Sequence, residues 1–300
     1  MPNLPLFLVI LLLRLAGRTR KFRSAEDLHR EVAKERRVHN PVPPADIARR
    51  FAVTHREIHG RSVYTLAPRG ASSGVYVFYL HGGAYVSGIT PFHWRFLARL
   101  IEDTGCTVTA PLYPLAPEAS HRDAHPFALE AYRQLAAQAP PDKLILMGDS
   151  SGGGFALALA QTLLEQGLPQ PRNIVLISPW LDITAKNPDI AKVQPHDPWL
   201  RVPGALEAAR LWAAGADPND PKLSPINGPL KGLGHLTLFI GTRDILLPDC
   251  RKLRDRAKAE GVPLCYVEAP GMIHVWPILP VREANAAIRQ IAGIVKGNCD

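Results

Sequence analysis

The chain has 300 residues, 46% of them hydrophobic, which suffices for a large buried core and argues against a disordered polymer. Its net charge of +8 sits at one end: residues 1 to 70 hold 14 Lys and Arg against 6 Asp and Glu, whereas residues 71 to 300 hold 21 of each. A neutral main body argues against a nucleic-acid groove, and four separated cysteines (Cys106, Cys250, Cys265, Cys299) without a C-x-x-C pair argue against a zinc site or a disulfide framework.

The chain opens MPNLPLFLVILLLRLAGRTRKFR, apolar from Leu4 to Leu13 and then basic at Arg14, Arg18, Arg20, Lys21 and Arg23. This apolar run is shorter than the about 20 residues that span a bilayer. A secretory signal places its charges before the apolar run and a small-residue site after it, the reverse of what stands here. An amphipathic helix docked on the body is expected, with weak contact to a membrane surface as the alternative. Unpaired thiols and no recognisable leader point to a cytoplasmic protein; a homodimer is left open.

Val53 to Ala67 reads as two strands around a turn at His59-Gly60, and Gly74 to Leu80 (GVYVFYL) as a buried strand. Helical spacing covers Pro91 to Asp103, a strand runs from Cys106 to Tyr113, and a helix from Pro126 to Gln138. Lys143 to Gly148 is a strand followed at once by a helix that stops near Gly167. Further strands are expected at Asn173 to Trp180, His235 to Gly241 and Pro263 to Pro270. This alternation predicts a mostly parallel sheet with helices on both faces. Between Trp180 and His235 lies a proline-rich interval with a helical patch at Pro203 to Ala214 and no strand, an insertion standing over the end of the sheet. Its Trp199 and Trp212, with Tyr85 and Trp180 from elsewhere, are the bulky candidates for a substrate pocket.

The junction MGDSSGGGF has the strand, turn and helix of a nucleophile elbow, whose sharpness forbids bulky side chains two residues before and after the nucleophile. Ser150 as nucleophile puts Gly148 and Gly152 at those places, whereas Ser151 would put Asp149 where glycine is needed. Ser150 is the attacking residue, and the Ser151 N-H faces the developing oxyanion. A trypsin-like reading of the same letters needs an all-β scaffold with His and Asp ahead of the serine, against the pattern here.

The elbow demands the chain order Ser, acid, His. Of His196, His235 and His274, only His274 follows the last strand on the side where the elbow opens. Asp244 comes directly off the preceding strand, while Asp249 suits a helix start, so Asp244 is the acid. LHGGAYVSG, residues 80 to 88, is the second donor loop, and the N-H groups of Gly82, Gly83 and Ser151 are expected to form the oxyanion hole, with His81 bracing the loop.

HGGAY, YPLAPE at 113 to 118, GDSSGG, SPWLD at 178 to 182, GTRDILLPD and the late His274 together resemble the bacterial hormone-sensitive lipase family of α/β-hydrolases, over roughly residues 55 to 300. The family usually carries a third glycine where Ala84 stands and an arginine where Pro114 stands. The resemblance implies an α/β-hydrolase fold with an eight-stranded sheet, one early strand antiparallel, and a helical cap. The cap comprises residues 1–50 and an inserted segment at 181–232, around core segments at 51–180 and 233–300. It further implies a serine carboxylesterase acting on short-chain, acetyl-type esters, with no metal and no cofactor. An amidase or peptidase on the same scaffold, or a receptor that keeps only the cavity, are the alternatives.

Overall fold

A computed structural model describes residues 4 to 298, leaving Cys299 outside the described residues. Apolar, β-branched runs pair into one eight-stranded sheet of order β1-β2-β4-β3-β5-β6-β7-β8. Its strands are β1 (Phe51–Ile58), β2 (Arg61–Pro68), β3 (Tyr76–Leu80), β4 (Thr107–Pro111), β5 (Leu144–Asp149), β6 (Asn173–Ile177), β7 (His235–Arg243) and β8 (Leu264–Ile273). β2 runs antiparallel to both β1 and β4; every other pairing is parallel. The α/β-hydrolase fold and the early antiparallel strand agree with the reading from sequence. Strand β8 runs on to Ile273, so His274 leaves directly from its end.

The helices are α1 (Leu6–Leu15), α2 (Ala25–Val38), α3 (Ala45–Arg50), α4 (Pro91–Thr104), α5 (His121–Ala136), α6 (Ser151–Glu165), α7 (Ile190–Val193), α8 (Val202–Ala213), α9 (Leu247–Ala259) and α10 (Ala284–Lys296). On one face of the sheet, Phe127 and Ala128 of α5, Leu159 and Leu163 of α6 and Leu253 of α9 join a core cluster that also contains Trp212 of α8. On the other, Trp94 and Leu97 of α4 pack with Ile288 and Ile291 of α10 and with Val9 and Ile10 of α1. Covering both faces of a parallel sheet is what allows its strands to be continuously apolar.

Helix α5 begins five residues before the expected Pro126. Ser120 and Asp123 form a capping box, with Ser120 Oγ accepting the Arg122 N-H and Asp123 Oδ2 accepting the Ser120 N-H at 2.8 Å. That box starts the helix, and the one intrahelical bond lost at Pro126 does not break it. Helix α3 also departs from expectation. Although residues 45 to 50 fall within the segment assigned to the cap, Ile47 is fully buried with Phe51 and Trp94 in the core.

The rest of the N-terminal segment reaches the insertion. Helix α2 packs on α8, His29 Nε2 lies 2.6 Å from Glu207 Oε1, and the Gly204 N-H donates to Phe22 O at 2.9 Å. A Cβ on Gly204 would stand 2.4 Å from Phe22 Cα, so only glycine permits this approach. Helix propensity alone favours Gly204→Ala by about 1 kcal/mol. The contact with Phe22 reverses the sign: Gly204→Ala is expected to destabilise by roughly 1 to 3 kcal/mol through overpacking, read as a lower urea midpoint. A raised midpoint would show that the two segments do not meet as described.

Candidate active site

Strand β5 ends at Asp149 and α6 begins at Ser151, so the whole reversal falls on Ser150, at φ 53° and ψ −124°. This is a strained conformation for a residue with a side chain. The turn holds because its backbone is fully engaged: Ser150 N-H donates to Ile177 O at 2.8 Å, and Ser150 O accepts from Trp180 N-H at 2.8 Å. A Cβ at Gly148 would stand 2.2 Å from Gly152 O, and one at Gly152 would stand 2.1 Å from Leu80 O. The steric rule against side chains at the two glycines of the turn is thus visible as two specific overlaps.

Ser150 Oγ lies 2.9 Å from His274 Nε2, and His274 Nδ1 lies 2.8 Å from Asp244 Oδ2. Asp244 is fully buried, and its Oδ1 accepts the Leu246 N-H at 3.0 Å. Burial disfavours a charged His274, but the Asp244 carboxylate outweighs it and raises the imidazole above its ordinary 6.5. His196 and His235 contribute no side chain here, and Asp249 instead accepts from Asn187 Nδ2 at 2.9 Å in the first turn of α9.

Two further carboxylates were not identified from sequence. Asp197, in the insertion, is buried beside Asp244; its Oδ1 accepts the N-H groups of Trp199 and Leu200 at 2.7 and 2.8 Å, and its Oδ2 accepts that of Ile245 at 3.0 Å. Burial and then the Asp244 charge push its carboxyl up. Asp149, between Gly148 and the serine, accepts from Tyr79 Oη at 2.5 Å and from the Gly82 N-H at 2.9 Å, and lies 3.3 Å from His93 Nε2. His93 Nδ1 accepts the Thr90 N-H at 2.9 Å, which places the ring proton on Nε2, toward Asp149. Burial pushes the Asp149 carboxyl up, but His93, Tyr79 and the Gly82 N-H together hold it below its ordinary 3.8.

The contact with Asp149 corrects the expectation for Gly82. Its N-H is committed to a buried carboxylate and cannot also serve an oxyanion. No hydrogen bond is made among the described residues by the N-H groups of Gly83, Ala84 or Ser151, the last at the first position of α6. His81 is neutral, lowered to about 4 by burial; its Nδ1 donates to Gly82 O at 2.8 Å and its ring stacks on Tyr113. Ala84 takes φ 55°, a conformation glycine adopts more readily. The Tyr113 to Glu118 loop, lacking an arginine at Pro114, receives one from the N-terminal segment: Arg36 donates to Ala116 O at 2.6 Å and pairs with Glu118.

A cavity of about 300 Å³ opens over Ser150 and His274. Trp180, just after β6, lines it with Trp199 and Leu200 of the insertion, and Val9, Leu12, Leu13, Lys21 and Phe22 line it from the N-terminal segment. The Trp199 ring meets His274 edge-on, 5.6 Å between centroids. Tyr85 and Trp212 do not line this cavity. They are fully buried and stack on each other at 4.1 Å, with Tyr85 stacked in turn on Trp180 at 5.7 Å, so they support the wall from behind. Glu35 accepts from Lys21 at 2.7 Å and from Ser87 Oγ at 2.6 Å, fastening the rim to the end of the donor loop.

The profile of the α/β-hydrolase fold matches residues 77–278, more than half of the chain. The chain is 36% identical to an acetyl-hydrolase of Streptomyces hygroscopicus over 222 residues, 72% of this chain and 73% of the relative. It is 32% identical to an esterase of Acinetobacter venetianus, over 74% of this chain and 75% of that one. A solved esterase of the bacterial hormone-sensitive lipase family superposes with a TM-score of 0.80 at 29% identity, over 95% of this chain and 97% of the other. The chain belongs to the hormone-sensitive lipase family of α/β-hydrolases. As an α/β-hydrolase of this kind it is a carboxylic ester hydrolase.

Within this hydrolase the Asp149 cluster has a measurable consequence. Asp149→Ala leaves the Gly82, Tyr79 and His93 donors without their acceptor, each worth about 1 to 3 kcal/mol, and is expected to lower unfolding free energy by at least about 3 kcal/mol. Because the folded carboxyl is held below 3.8, its stabilisation is complete above that value and is lost as pH falls beneath it. The gap between parent and Asp149→Asn in urea unfolding should therefore narrow on acidification. A gap that widens would contradict an ionised Asp149.

Proposed function

We propose that the enzyme hydrolyses short-chain, acetyl-type carboxylic esters through Ser150, His274 and Asp244. The observation that carries this reading is the continuous chain from Ser150 Oγ to His274 Nε2 at 2.9 Å and from His274 Nδ1 to Asp244 Oδ2 at 2.8 Å, at the floor of the cavity. Ser150 attacks the ester carbonyl as His274 takes its proton, and Asp244 holds the Nδ1-H tautomer and stabilises the imidazolium. The tetrahedral oxyanion is held by the N-H groups of Gly83, Ala84 and Ser151, which have no other partner among the described residues. His274 then protonates the departing alcohol, and a water deprotonated by the same ring releases the acid.

A short acyl group is supported by the size of the site. A volume of about 300 Å³ stands at the lower end of ligand cavities, and the indole rings of Trp180 and Trp199 bound it near the nucleophile. The Streptomyces relative bears the name acetyl-hydrolase, in keeping with this choice. Each of the three proposed triad members comes from the end of a strand in the parallel part of the one sheet, β5, β7 or β8, which supports their acting together.

Initial rates on nitrophenyl esters from acetyl to dodecanoyl are expected to peak at the short end, and Ser150→Ala to lower them by about 10⁴-fold or more. Parental rates in Ser150→Ala would end this assignment; a maximum at dodecanoyl would end the acyl-length reading alone.

The pH profile carries a second expectation. His274 must be neutral to act as base, and its raised value moves the acid limb of kcat/KM above 6.5. Asp197 contributes to that shift from outside the proposed triad. Asp197→Asn should therefore move the limb to lower pH, whatever it does to the plateau; a limb that stays in place would remove Asp197 from the electrostatics of His274.

A further inference from the structure

The wall of the cavity formed by α1 also faces solvent. The helix LFLVILLLRL carries one charge, Arg14. Val9 and Ile10 are buried in the core, while Phe7, Leu11 and Leu15 stand 72%, 47% and 75% exposed. Their spacing of four residues aligns them as one outward stripe, with Leu12 alongside at 47%. These four are half of the eight large hydrophobic side chains exposed among the described residues. Such concentration on a single helix marks a contact surface, whereas scattered exposure does not. The stripe is continuous with the site, because Leu12 and Phe92 are both exposed and both line the cavity.

Charge indicates what covers the stripe. From Leu4 to Ala25 the chain contains no Asp or Glu. Arg18 and Lys21 are tied to Glu35, but Arg14, Arg20 and Arg23 are exposed and make no ion pair among the described residues. An apolar helical face edged by unpaired guanidinium groups is complementary to the phosphates and upper acyl region of an anionic bilayer. A second copy of the chain fits less well. A two-fold contact through α1 offers its arginines no carboxylate from the twin segment, and one ten-residue helix offers little of the about 1,200 to 2,000 Å² that a stable pair buries.

We propose that the outer face of α1, with Phe7, Leu11, Leu15 and the Arg14, Arg20 and Arg23 cluster, docks the enzyme on anionic lipid surfaces with the cavity mouth beside the membrane. The helix lies in the interface and does not cross it; none of the described helices is long and apolar enough to span a bilayer. This placement would let an apolar ester pass from the lipid surface to the cavity along Leu12 and Phe92. It does not depend on which residue attacks the ester.

The test is co-sedimentation of the full chain with vesicles of phosphatidylcholine alone or mixed with phosphatidylglycerol. Binding to the mixed vesicles that weakens with added salt is expected, with much less binding to phosphatidylcholine. Arg14→Glu with Arg20→Glu should weaken it by roughly 25-fold or more, since each arginine at such a surface contributes about fivefold. Phe7→Ser with Leu11→Ser and Leu15→Ser should also release the protein; none of the three lines the cavity, so thermal unfolding and hydrolysis of a soluble acetyl ester should persist. The proposal is overturned by absence of binding to mixed vesicles, by equal binding to both compositions, or by either variant binding as the parent does. A lipid-free dimer that the serine variant dissociates would assign the stripe to a second copy instead.

Discussion

The backbone turn at Ser150 fixes the directions of three consecutive residues. With Gly148 and Gly152 pressed against neighbouring carbonyls, the chain has no freedom to relax, and Ser150 is lifted out of line with β5 at positive φ. Asp149, the last residue of β5, is then directed into the interior toward β3 and α4. Ser151 opens α6 with its N-H unpaired and its Oγ accepting the Tyr85 N-H at 3.3 Å. One constraint therefore presents a hydroxyl to the cavity, a carboxylate to the loop after β3, and a free donor between them. The loop follows from the carboxylate: by accepting the Gly82 N-H, Asp149 anchors the residue just before Gly83 and Ala84 to the elbow. Strain at one residue is retained because the surrounding bonds over-determine it.

Two segments distant in sequence close the space above the elbow, and their attachments are polar where they matter. Asp197 accepts the Ile245 N-H, so the insertion is tied to the residue next to Asp244. Glu35 gathers Arg18, Lys21 and Ser87, so the N-terminal segment holds the end of the donor loop. Arg36 does the same for the Ala116 to Glu118 stretch. The aromatic stack of Trp180, Tyr85 and Trp212 joins the end of β6, the donor loop and α8 through ring faces. The cavity is thus shaped by tethers from both segments.

How far the sequence disclosed this depends on what each feature requires. Strands such as LILMGD and NIVLI were legible because a buried parallel strand needs a short apolar run and little else. The elbow was legible because its geometry restricts residue type at fixed spacing. Gly82 was misassigned because sequence shows that a glycine can approach, not which acceptor its N-H meets; Asp149, the acceptor, read only as the variable letter of the motif. Bulk alone points Tyr85 and Trp212 to the pocket, whereas direction decides, and a residue at φ 62° such as Tyr85 points where no periodicity argument can follow. The start of α5 was missed because Pro126 looks like a first-turn proline, although the Ser120-Asp123 box upstream is the stronger initiating signal. Asp197 has local partners in the Trp199 and Leu200 N-H groups, which any turn aspartate can meet; those that tie it to the site, Asp244 and Ile245, lie 47 and 48 positions away and leave no local signature.

Three buried carboxylates near one imidazole pose an electrostatic problem that the fold resolves unequally. Asp149 remains ionised because a hydroxyl, a backbone N-H and a ring N-H all point at it, giving back in fixed dipoles what burial removes. Asp244 meets one backbone donor and the imidazole. Asp197 has three backbone donors yet is still pushed up, by burial first and then by the neighbouring Asp244, since two adjacent carboxylates resist sharing full charge. The imidazole gains from this arrangement. A positive His274 is attracted by Asp244 first, then by Asp197 and Asp149, and those attractions together overcome a burial that would otherwise keep it neutral. A site preorganised in this way lowers the free energy of a state with positive charge on His274, which is the state that the proposed transfer of the Ser150 proton would create.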